Sequence, residues 1–464
     1  MPKAFIRIEN GSFVQGDEDK RFFPVVVNYM LSAQTDGKEI WPTAFKQYHR
    51  NQKSRYTSKD SCLQELKIEF QHIKSLGFNS IRLVQFGEAA IDWSANSLAV
   101  WAQFGNDSGK SFYLDEEENY NSYVKATKEL FKLANEAGLK VIYLVRTKPD
   151  LAYTEDFLQK YLAEFNTDTN ILAWDLFNEP LYFDTLERPK TDIIEIANRW
   201  SQWIEKTVPN HLTTIGLTGI KEVFEWDASL LPVDFISFHP YPYEPNQVLN
   251  EMRWYKSYID KPWIIGETSI ASEGETTEEM QAEFAREVID QTIAAGGIGF
   301  SWWQYKDVDW GDPVSDKMGL VALDSVIEEN NLVFDRREKP VCEVFKQLNQ
   351  EEMLKGNIPL REPNNYYNYS GFSDFRLKGT LLDQSGNPLD GGVIMGWSQW
   401  WEKSYASYCK SDGTFELFGP FEYYHWIISA PGFESIKRDC DPNAAIEVNG
   451  IKTLDLGEIK LDKL

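Results

Sequence analysis

Cysteine and histidine are scarce in this sequence. The four cysteines (Cys62, Cys342, Cys409 and Cys440) form no CxxC pair and no Cys/His spacing typical of a metal site, and only five histidines are present. These absences predict that the protein has no structural zinc site, and we expect neither a metal nor an organic cofactor. Only Cys409 and Cys440, both near the C-terminus, are placed for a possible disulfide.

Basic residues are also in deficit, with 47 Lys and Arg against 72 Asp and Glu, for a net charge of −25. A surface this acidic repels phosphate groups, so nucleic acid is excluded as a partner. An acidic surplus is typical of a solvated, self-repelling surface, and we expect a monomer.

Long apolar runs are absent, since no stretch approaches the roughly 18–20 apolar residues that span a bilayer. The first residues, from Met1 to Phe5, lack the charged and apolar regions of a signal peptide. The protein is therefore either cytoplasmic or has lost a leader. If a leader was removed, we expect a periplasmic, cell-surface or secreted protein.

Eight short β-branched or aromatic runs alternate with longer amphipathic patterns. The runs predict buried strands; they are Phe23–Asn28, Ser80–Val84, Lys140–Val145, Ile171–Phe177, Thr213–Leu217, Phe235–Phe238, Trp263–Ile265 and Gly299–Trp303. Gly77 and Gly138 each end a helical pattern just before a strand. This rhythm favours a parallel (β/α)8 TIM barrel over an open doubly wound sheet, and no GxGxxG or Walker loop argues otherwise.

A change of pattern near residue 350 predicts a domain boundary. Residues 1–350 are assigned to the barrel, 351–372 to a linker and 373–464 to a small all-β sandwich. The sandwich is predicted from short runs such as Phe375–Leu382 and Tyr424–Ser429, separated by turn-forming residues.

Two glutamates stand at the ends of predicted strands. Glu179 follows the fourth run, in Asn178-Glu179-Pro180, and Glu267 closes the seventh, in Gly266-Glu267. Active sites of such barrels lie at the C-terminal strand ends, and the fourth and seventh strands face each other across the mouth. Two facing carboxylates are the pair that glycosidic bond cleavage requires, one as acid and one to stabilise positive charge at the anomeric carbon.

With these motifs, residues 20–348 resemble the clan A retaining glycoside hydrolases, within them the family 5 cellulases and mannanases. Supporting elements are Arg82 on the second strand, His239-Pro240-Tyr241 after the sixth and Trp303 after the eighth. The resemblance implies a retaining hydrolase of a β-linked poly- or oligosaccharide, with β-glucan or β-mannan as the first substrates to test.

The resemblance also implies a role for each residue. Glu179 would be the general acid/base and Glu267 the nucleophile, which Arg82 would keep ionised and Tyr241 would touch. Asn178 would bind the sugar 2-OH, His239 would orient the acid/base or bind a hydroxyl, and Trp303 would lie under the sugar. One departure is Arg146, which follows the third strand where many family 5 members carry histidine; we expect it to contact the substrate.

Structural alternatives remain open for three of these residues. Arg82 could be a buried ion-pair partner, His239 a structural histidine and Trp303 part of the core. At the level of function, the rival hypothesis is a non-catalytic glycan-binding protein on the same barrel. A Ser/His/Asp hydrolase is disfavoured because the sequence has no GxSxG motif.

The segment from about Ser373 resembles the seven-stranded carboxypeptidase regulatory-like or prealbumin-like sandwich, in its Gly379-Thr380, Gly386-Asn387-Pro388 and Asp412-Gly413-Thr414-Phe415 turns. Within it, Trp397, Trp400 and Trp401 have two readings. The first is that they pack against the barrel, which is the prediction we favour. The second is that they form a sugar-binding platform.

Overall fold

The computed structural model describes residues 2–16, 18–86, 98–145, 152–184, 186–244, 246–361 and 371–464. Eight parallel strands close into a barrel, as the sequence predicts, because the eighth strand pairs with the first at Phe300–Val25 and Trp302–Val27. The barrel strands are Val25–Thr35, Ser80–Val84, Lys140–Leu144, Ile171–Asn178, Leu212–Leu217, Ile236–Phe238, Trp263–Ile265 and Phe300–Trp302.

Helices cover the outside of the barrel. They are Lys59–Ser75, Glu117–Glu136, Ala152–Ala163, Pro180–Phe183, Lys190–Thr207, Gln247–Tyr258, Glu278–Ala294, Val341–Lys346 and Gln350–Lys355. Short 3-10 helices are Lys46–Tyr48, Arg50–Gln52, Ile220–Phe224 and Pro442–Ala444. The fifth crossover is the exception, since between the fifth and sixth barrel strands the chain forms only the 3-10 helix Ile220–Phe224.

The two ends of the barrel are built differently. At the amino-terminal end a three-stranded sheet (Arg7–Glu9, Ser12–Gln15 and Lys20–Phe22) brings the buried Phe13 edge-on against Phe235, 5.3 Å between ring centroids. At the opposite end the first strand continues past the barrel and pairs with Ile40–Ala44 and, at Gln34, with Gln103 of the hairpin Ala99–Gln103 and Gly109–Tyr113. A second hairpin, Val321–Glu329 with Leu332–Glu338, follows the last barrel strand. One end is thus closed by apolar packing, and the other carries walls around an open mouth.

The C-terminal residues form two four-stranded sheets, which confirms the predicted all-β domain. One sheet contains Thr414–Gly419, Phe375–Asp383, Ile451–Leu461 and Ile446–Val448; the other contains Ser404–Tyr408, Val393–Trp397, His425–Ser429 and Ile436–Asp439. These are eight strands, one more than the resemblance implies. Residues 351–355 of the expected linker belong to the helix Gln350–Lys355, and residues 362–370 lie outside the described part of the chain.

The expected Cys409–Cys440 disulfide is wrong, since both thiols are free. Cys409 is buried in the sandwich core, whereas the Cys440 thiol donates to the carbonyl oxygen of Tyr423 at 3.3 Å. The two sulfurs are used separately, one for packing and one as a weak donor. Among the described helices, none combines the length and the apolar character needed to cross a membrane.

The sandwich covers the barrel at its fifth crossover. Strands Val393–Trp397 and His425–Ser429 contact the 3-10 helix Ile220–Phe224, and Val393, Met395 and Tyr408 belong to the same apolar cluster as the barrel core. Trp397 packs against this cluster, as favoured from the sequence, whereas Trp400 and Trp401 are 72% and 47% exposed. The sandwich therefore buries the apolar surface that a fifth α-helix would otherwise cover.

A buried ion pair of the barrel lies at this interface and makes hydrogen bonds to the sandwich. The Lys190 ammonium lies 2.9 Å from Asp227 and donates to the carbonyl oxygen of Ala430 at 3.0 Å, while Asp227 accepts from the Gly432 N–H at 2.8 Å. Lys190 and Asp227 belong to the barrel, and Ala430 and Gly432 to the sandwich. The pair thus satisfies backbone groups of a second domain.

Lys190→Met should lower the free energy of unfolding by about 3–5 kcal/mol, because it leaves the Asp227 carboxylate buried without a cation. Urea unfolding followed by tryptophan fluorescence measures the loss. As the matched control, Lys190→Met/Asp227→Asn removes the uncompensated charge while keeping a side-chain acceptor, and should recover part of the loss. Equal stability of Lys190→Met and the unmodified protein would contradict this account of the interface.

Candidate active site

The structure brings Glu179 and Glu267 together at the mouth of the barrel. One oxygen of Glu179, one oxygen of Glu267 and a ring nitrogen of His239 lie within 4.8 Å of one another. Glu267 and His239 are buried, and Glu179 is partly exposed to the mouth. The pairing of these two carboxyl groups is the arrangement expected from the sequence.

Glu179 reaches the mouth through an irregular strand end. The register between the fourth and fifth strands shifts between Asp175 and Asn178, and Glu179 then adopts left-handed backbone angles, φ 48° and ψ 66°. A non-glycine residue held there is strained by about 1–3 kcal/mol. Two features hold it: its N–H donates to the carbonyl oxygen of Gly216 at 2.8 Å, and Pro180, suited to the first turn, starts a short helix.

Arg82 lies at the centre of the site. Its buried guanidinium donates to Asp175 at 2.8 Å, to Asn28 at 2.9 Å, to Asn178 at 2.8 Å and to Oε1 of Glu267. Arg82 is therefore a buried ion-pair partner, as one alternative from the sequence has it, and it also contacts Glu267. Because the Asn178 oxygen accepts from Arg82, the amide nitrogen of Asn178 remains a donor.

Glu267 is held from two sides. Arg82 donates to Oε1, and the Tyr241 hydroxyl donates to Oε2 at 2.8 Å. Burial raises the pKa of Glu267, and the nearby Glu179 acts in the same direction. His239, Arg82 and the Tyr241 hydrogen bond act the other way, since they favour the ionised carboxylate.

Glu179 has less support for its charged form. Burial raises the pKa of Glu179 to about 7, with Arg82 acting in the opposite direction. Its partner is His239, whose Nδ1 lies 2.9 Å from Oε1 of Glu179 and 3.6 Å from Oε1 of Glu267. Burial lowers the pKa of His239 to about 4, so the imidazole is neutral at pH 7. At neutral pH Glu179 therefore exchanges a proton readily, while Glu267 receives two hydrogen bonds.

His239 fits into this position because two of its neighbours are glycines. A Cβ at position 216 would lie 2.6 Å from the imidazole Cε1, and one at position 266 would lie 2.8 Å from Nε2 and 1.8 Å from Ser237 Oγ. The fifth and seventh strands thus leave room for a ring that contacts both glutamates. His239 is a contacting residue and not merely a core histidine.

Two residues predicted from the sequence remain, Trp303 and Arg146. Trp303 is partly exposed just beyond the eighth strand, whereas the adjacent Trp302 is fully buried. The backbone N–H of Trp303 donates to the carbonyl oxygen of Thr268 at 3.1 Å. Trp303 is therefore on the mouth side of the barrel. Arg146 lies outside the described residues.

Sequence reasoning missed Asn28, Asp175 and the two glycines. Asp175 carried a usable signal, since it is a lone carboxylate inside an otherwise apolar strand and requires a buried partner. Asn28 ends the first predicted run, where it donates to the carbonyl oxygens of Gly266 and Trp302. No feature of the sequence marks Gly216. Gly266 belongs to the Gly266-Glu267 motif, but the sequence does not show that both glycines make room for His239.

The ligand atoms of Glu179, His239 and Glu267 are close enough to surround a divalent cation. The charges around them do not favour one. The Arg82 guanidinium already binds the Glu267 oxygen that faces His239 and would repel a metal ion there. The donor set suits a proton-transfer site better than a metal site.

Comparison with known proteins gives similarity at the level of architecture. No family model matches the chain, and no curated protein matches it. Among solved structures, the endo-1,4-beta-mannanase of Rhizomucor miehei is 15% identical, with a TM-score of 0.49 over 76% of this chain and 99% of that one. A GH5_18 protein of Bifidobacterium longum is 11% identical, with a TM-score of 0.49 over 80% of this chain and 86% of that one.

A third similar structure is the beta-D-glucuronidase of Dictyoglomus thermophilum, 15% identical, with a TM-score of 0.45 over 77% of this chain. This chain spans 54% of the length of that glucuronidase.

Proposed function

We propose that this protein is a retaining glycoside hydrolase that cleaves a β-linked poly- or oligosaccharide, with Glu179 as acid/base and Glu267 as nucleophile. The observation that carries the proposal is the pair itself, two carboxyl groups with oxygens within 4.8 Å and with different surroundings. Retaining enzymes hold their carboxyl groups about 5–5.5 Å apart, whereas inverting enzymes need about 6.5–9.5 Å to admit a water. The closeness of the pair supports double displacement.

In the first step, protonated Glu179 gives its proton to the glycosidic oxygen as the bond from that oxygen to the anomeric carbon breaks. A carboxylate oxygen of Glu267 bonds to the anomeric carbon from the other face, and the leaving group departs with the proton. The pKa of Glu179 near 7 suits this role, since the group is protonated at neutral pH without holding its proton tightly.

In the second step, ionised Glu179 removes a proton from water, whose oxygen attacks the anomeric carbon and displaces Glu267. Two inversions return the β configuration. Arg82 and Tyr241 receive the Glu267 carboxylate again as it is released. The Asn178 amide nitrogen is the donor we assign to the sugar 2-OH, and Trp303 the surface under the sugar.

Proton NMR of the protein with cello-, manno- and xylo-oligosaccharides tests the reaction. We expect one class to be cleaved and the β-anomer of the new reducing end to appear in the first minutes, before mutarotation. Early appearance of the α-anomer would contradict the retaining mechanism. Binding of the oligosaccharides without cleavage would support the rival hypothesis, a glycan-binding protein without turnover.

The pH dependence follows from the two glutamates. The value of kcat/KM should fall as pH rises through about 7, because Glu179 loses the proton it must donate. It should also fall on the acid side as Glu267 becomes protonated. Since burial raises the pKa of Glu267, this limb should lie above the value of about 4.3 for an exposed glutamate.

Glu179→Ala should remove the limb near pH 7 and lower the rate on oligosaccharides by about 100-fold or more. With an activated aryl glycoside, added azide should restore turnover and give a β-glycosyl azide, because azide attacks the glycosyl-enzyme without a base. Glu267→Ala is the matched control. Added azide should not restore formation of the β-glycosyl azide by this variant. A wild-type limb near pH 7 that persists in Glu179→Ala would contradict the assignment of the acid/base.

A further inference from the structure

Two exposed tyrosines lie near Glu179 at the mouth of the barrel. The neighbouring site residues Arg82, His239 and Glu267 are buried. Tyr182 follows the fourth barrel strand and is 61% exposed, and Tyr243 follows the sixth and is 65% exposed. Neither ring has a part in the proposed bond cleavage. Large exposed aromatic faces beside a reacting group call for an explanation, since burying them would be favourable.

Tyr182 is attached firmly to the acid/base. Its N–H donates to the carbonyl oxygen of Glu179 at 2.9 Å, and the intervening Leu181 N–H donates to the buried Glu222 at 3.3 Å. Glu222 also accepts from the Thr218 N–H at 3.2 Å. The turn that carries Glu179 thus carries the Tyr182 ring with it.

Tyr243 is attached in the same way to the nucleophile side. Its ring stacks on Tyr241, with 5.9 Å between centroids and 29° between planes, and its N–H donates to the carbonyl oxygen of Tyr241 at 2.9 Å. Tyr241 in turn donates to Glu267. The Tyr243 ring and the backbone of Tyr182 are therefore held close to the two glutamates.

The two hydroxyl groups also share one electrostatic environment. Burial, and then Tyr243 and Glu179, raise the pKa of Tyr182. Burial, and then Glu179 and Glu267, raise the pKa of Tyr243 to about 12. Both tyrosines thus lie close enough to Glu179 to interact with it, and both are largely exposed to solvent.

This placement identifies what the rings would contact. Glu179 protonates the oxygen of the leaving group, so the departing sugar must lie next to Glu179. A pyranose presents an apolar C–H face that packs on an aromatic ring, and hydroxyls that hydrogen-bond at the ring edge. We propose that Tyr182 and Tyr243 form a leaving-group platform that binds the first pyranose of the departing chain; this rests on the proposed function.

The platform predicts that the enzyme is built for sugar leaving groups and not for small aglycones. The test compares the fastest-cleaved of cello-, manno- and xylotetraose with the β-glycosyl fluoride of the same sugar. Fluoride is too small to reach either ring. Tyr182→Ala and Tyr243→Ala should each lower kcat/KM for the tetrasaccharide about tenfold more than for the fluoride, as expected for one lost ring contact.

Two controls accompany the test. Tyr182→Phe and Tyr243→Phe keep the ring and should retain most of the tetrasaccharide rate. Trp400→Ala removes an aromatic ring that is 72% exposed on the sandwich, and it should leave the ratio of the two rates at its wild-type value.

Equal losses on the tetrasaccharide and the fluoride in the alanine variants would overturn the platform while leaving the proposed hydrolysis intact. A change of the rate ratio that is larger in Trp400→Ala than in the two tyrosine variants would also overturn the platform, since the sandwich would then bind the departing saccharide. A wild-type protein that cleaves neither substrate would contradict the proposed function and the platform with it.

Discussion

The site depends on one buried cation serving several acceptors. Arg82 stands at the barrel centre and binds Asp175, Asn28, Asn178 and Glu267 with one planar guanidinium. Burial raises the pKa of both Asp175 and Glu267, and Arg82 acts against this rise in each case. Lysine could not replace it, because a single ammonium lacks the fixed fork of donors that reaches four side chains.

The charges around Arg82 also suit the proposed chemistry. With Glu179 protonated and His239 neutral, one guanidinium faces the carboxylates of Asp175 and Glu267. This leaves the site with an excess negative charge. Positive charge that develops at an anomeric carbon would be stabilised there, and the low-dielectric surroundings strengthen the effect. Burial raises the pKa of Glu179 to about 7, which suits a group that must donate a proton.

The sandwich also supports the site, although none of the side chains that the structure describes in it contacts Glu179 or Glu267. It packs where the fifth crossover is reduced to Ile220–Phe224. That 3-10 helix contains Glu222, which holds the turn carrying Glu179 and Tyr182. Packing by the second domain therefore supports the strained backbone that directs Glu179 toward the mouth.

Much of this architecture could be predicted from the sequence. Apolar runs locate all eight barrel strands, because buried parallel strands must be continuously apolar. They do not predict that the first strand continues to Thr35, since the extension depends on pairing with Ile40–Ala44. In the sandwich, Ile436–Asp439 escaped prediction because it is polar and largely exposed. Ile451–Leu461 escaped because charged residues interrupt its apolar positions.

Within the site, Glu179 and Glu267 could be placed together because each follows a recognisable strand. Arg82, His239 and Tyr241 were predicted from the resemblance to glycoside hydrolases. Asn28 could not be predicted, since an asparagine at a strand end becomes meaningful only when the eighth strand closes the barrel beside it. The Cys409–Cys440 pairing failed for a related reason. Two cysteines in the same domain need not face each other, because the sequence does not show on which side of a sheet each thiol lies.

The central claim is that Glu267 bonds to the sugar during turnover. A 2-deoxy-2-fluoro β-glycosyl fluoride of the cleaved sugar tests this claim most directly. The fluorine at C2 slows hydrolysis of the glycosyl-enzyme intermediate, so the intermediate accumulates. Mass spectrometry of the digested protein should then find one fluoro-sugar on the peptide that contains Glu267. Labelling of a different residue, or steady release of the fluoro-sugar by inversion with no labelled protein, would contradict the account.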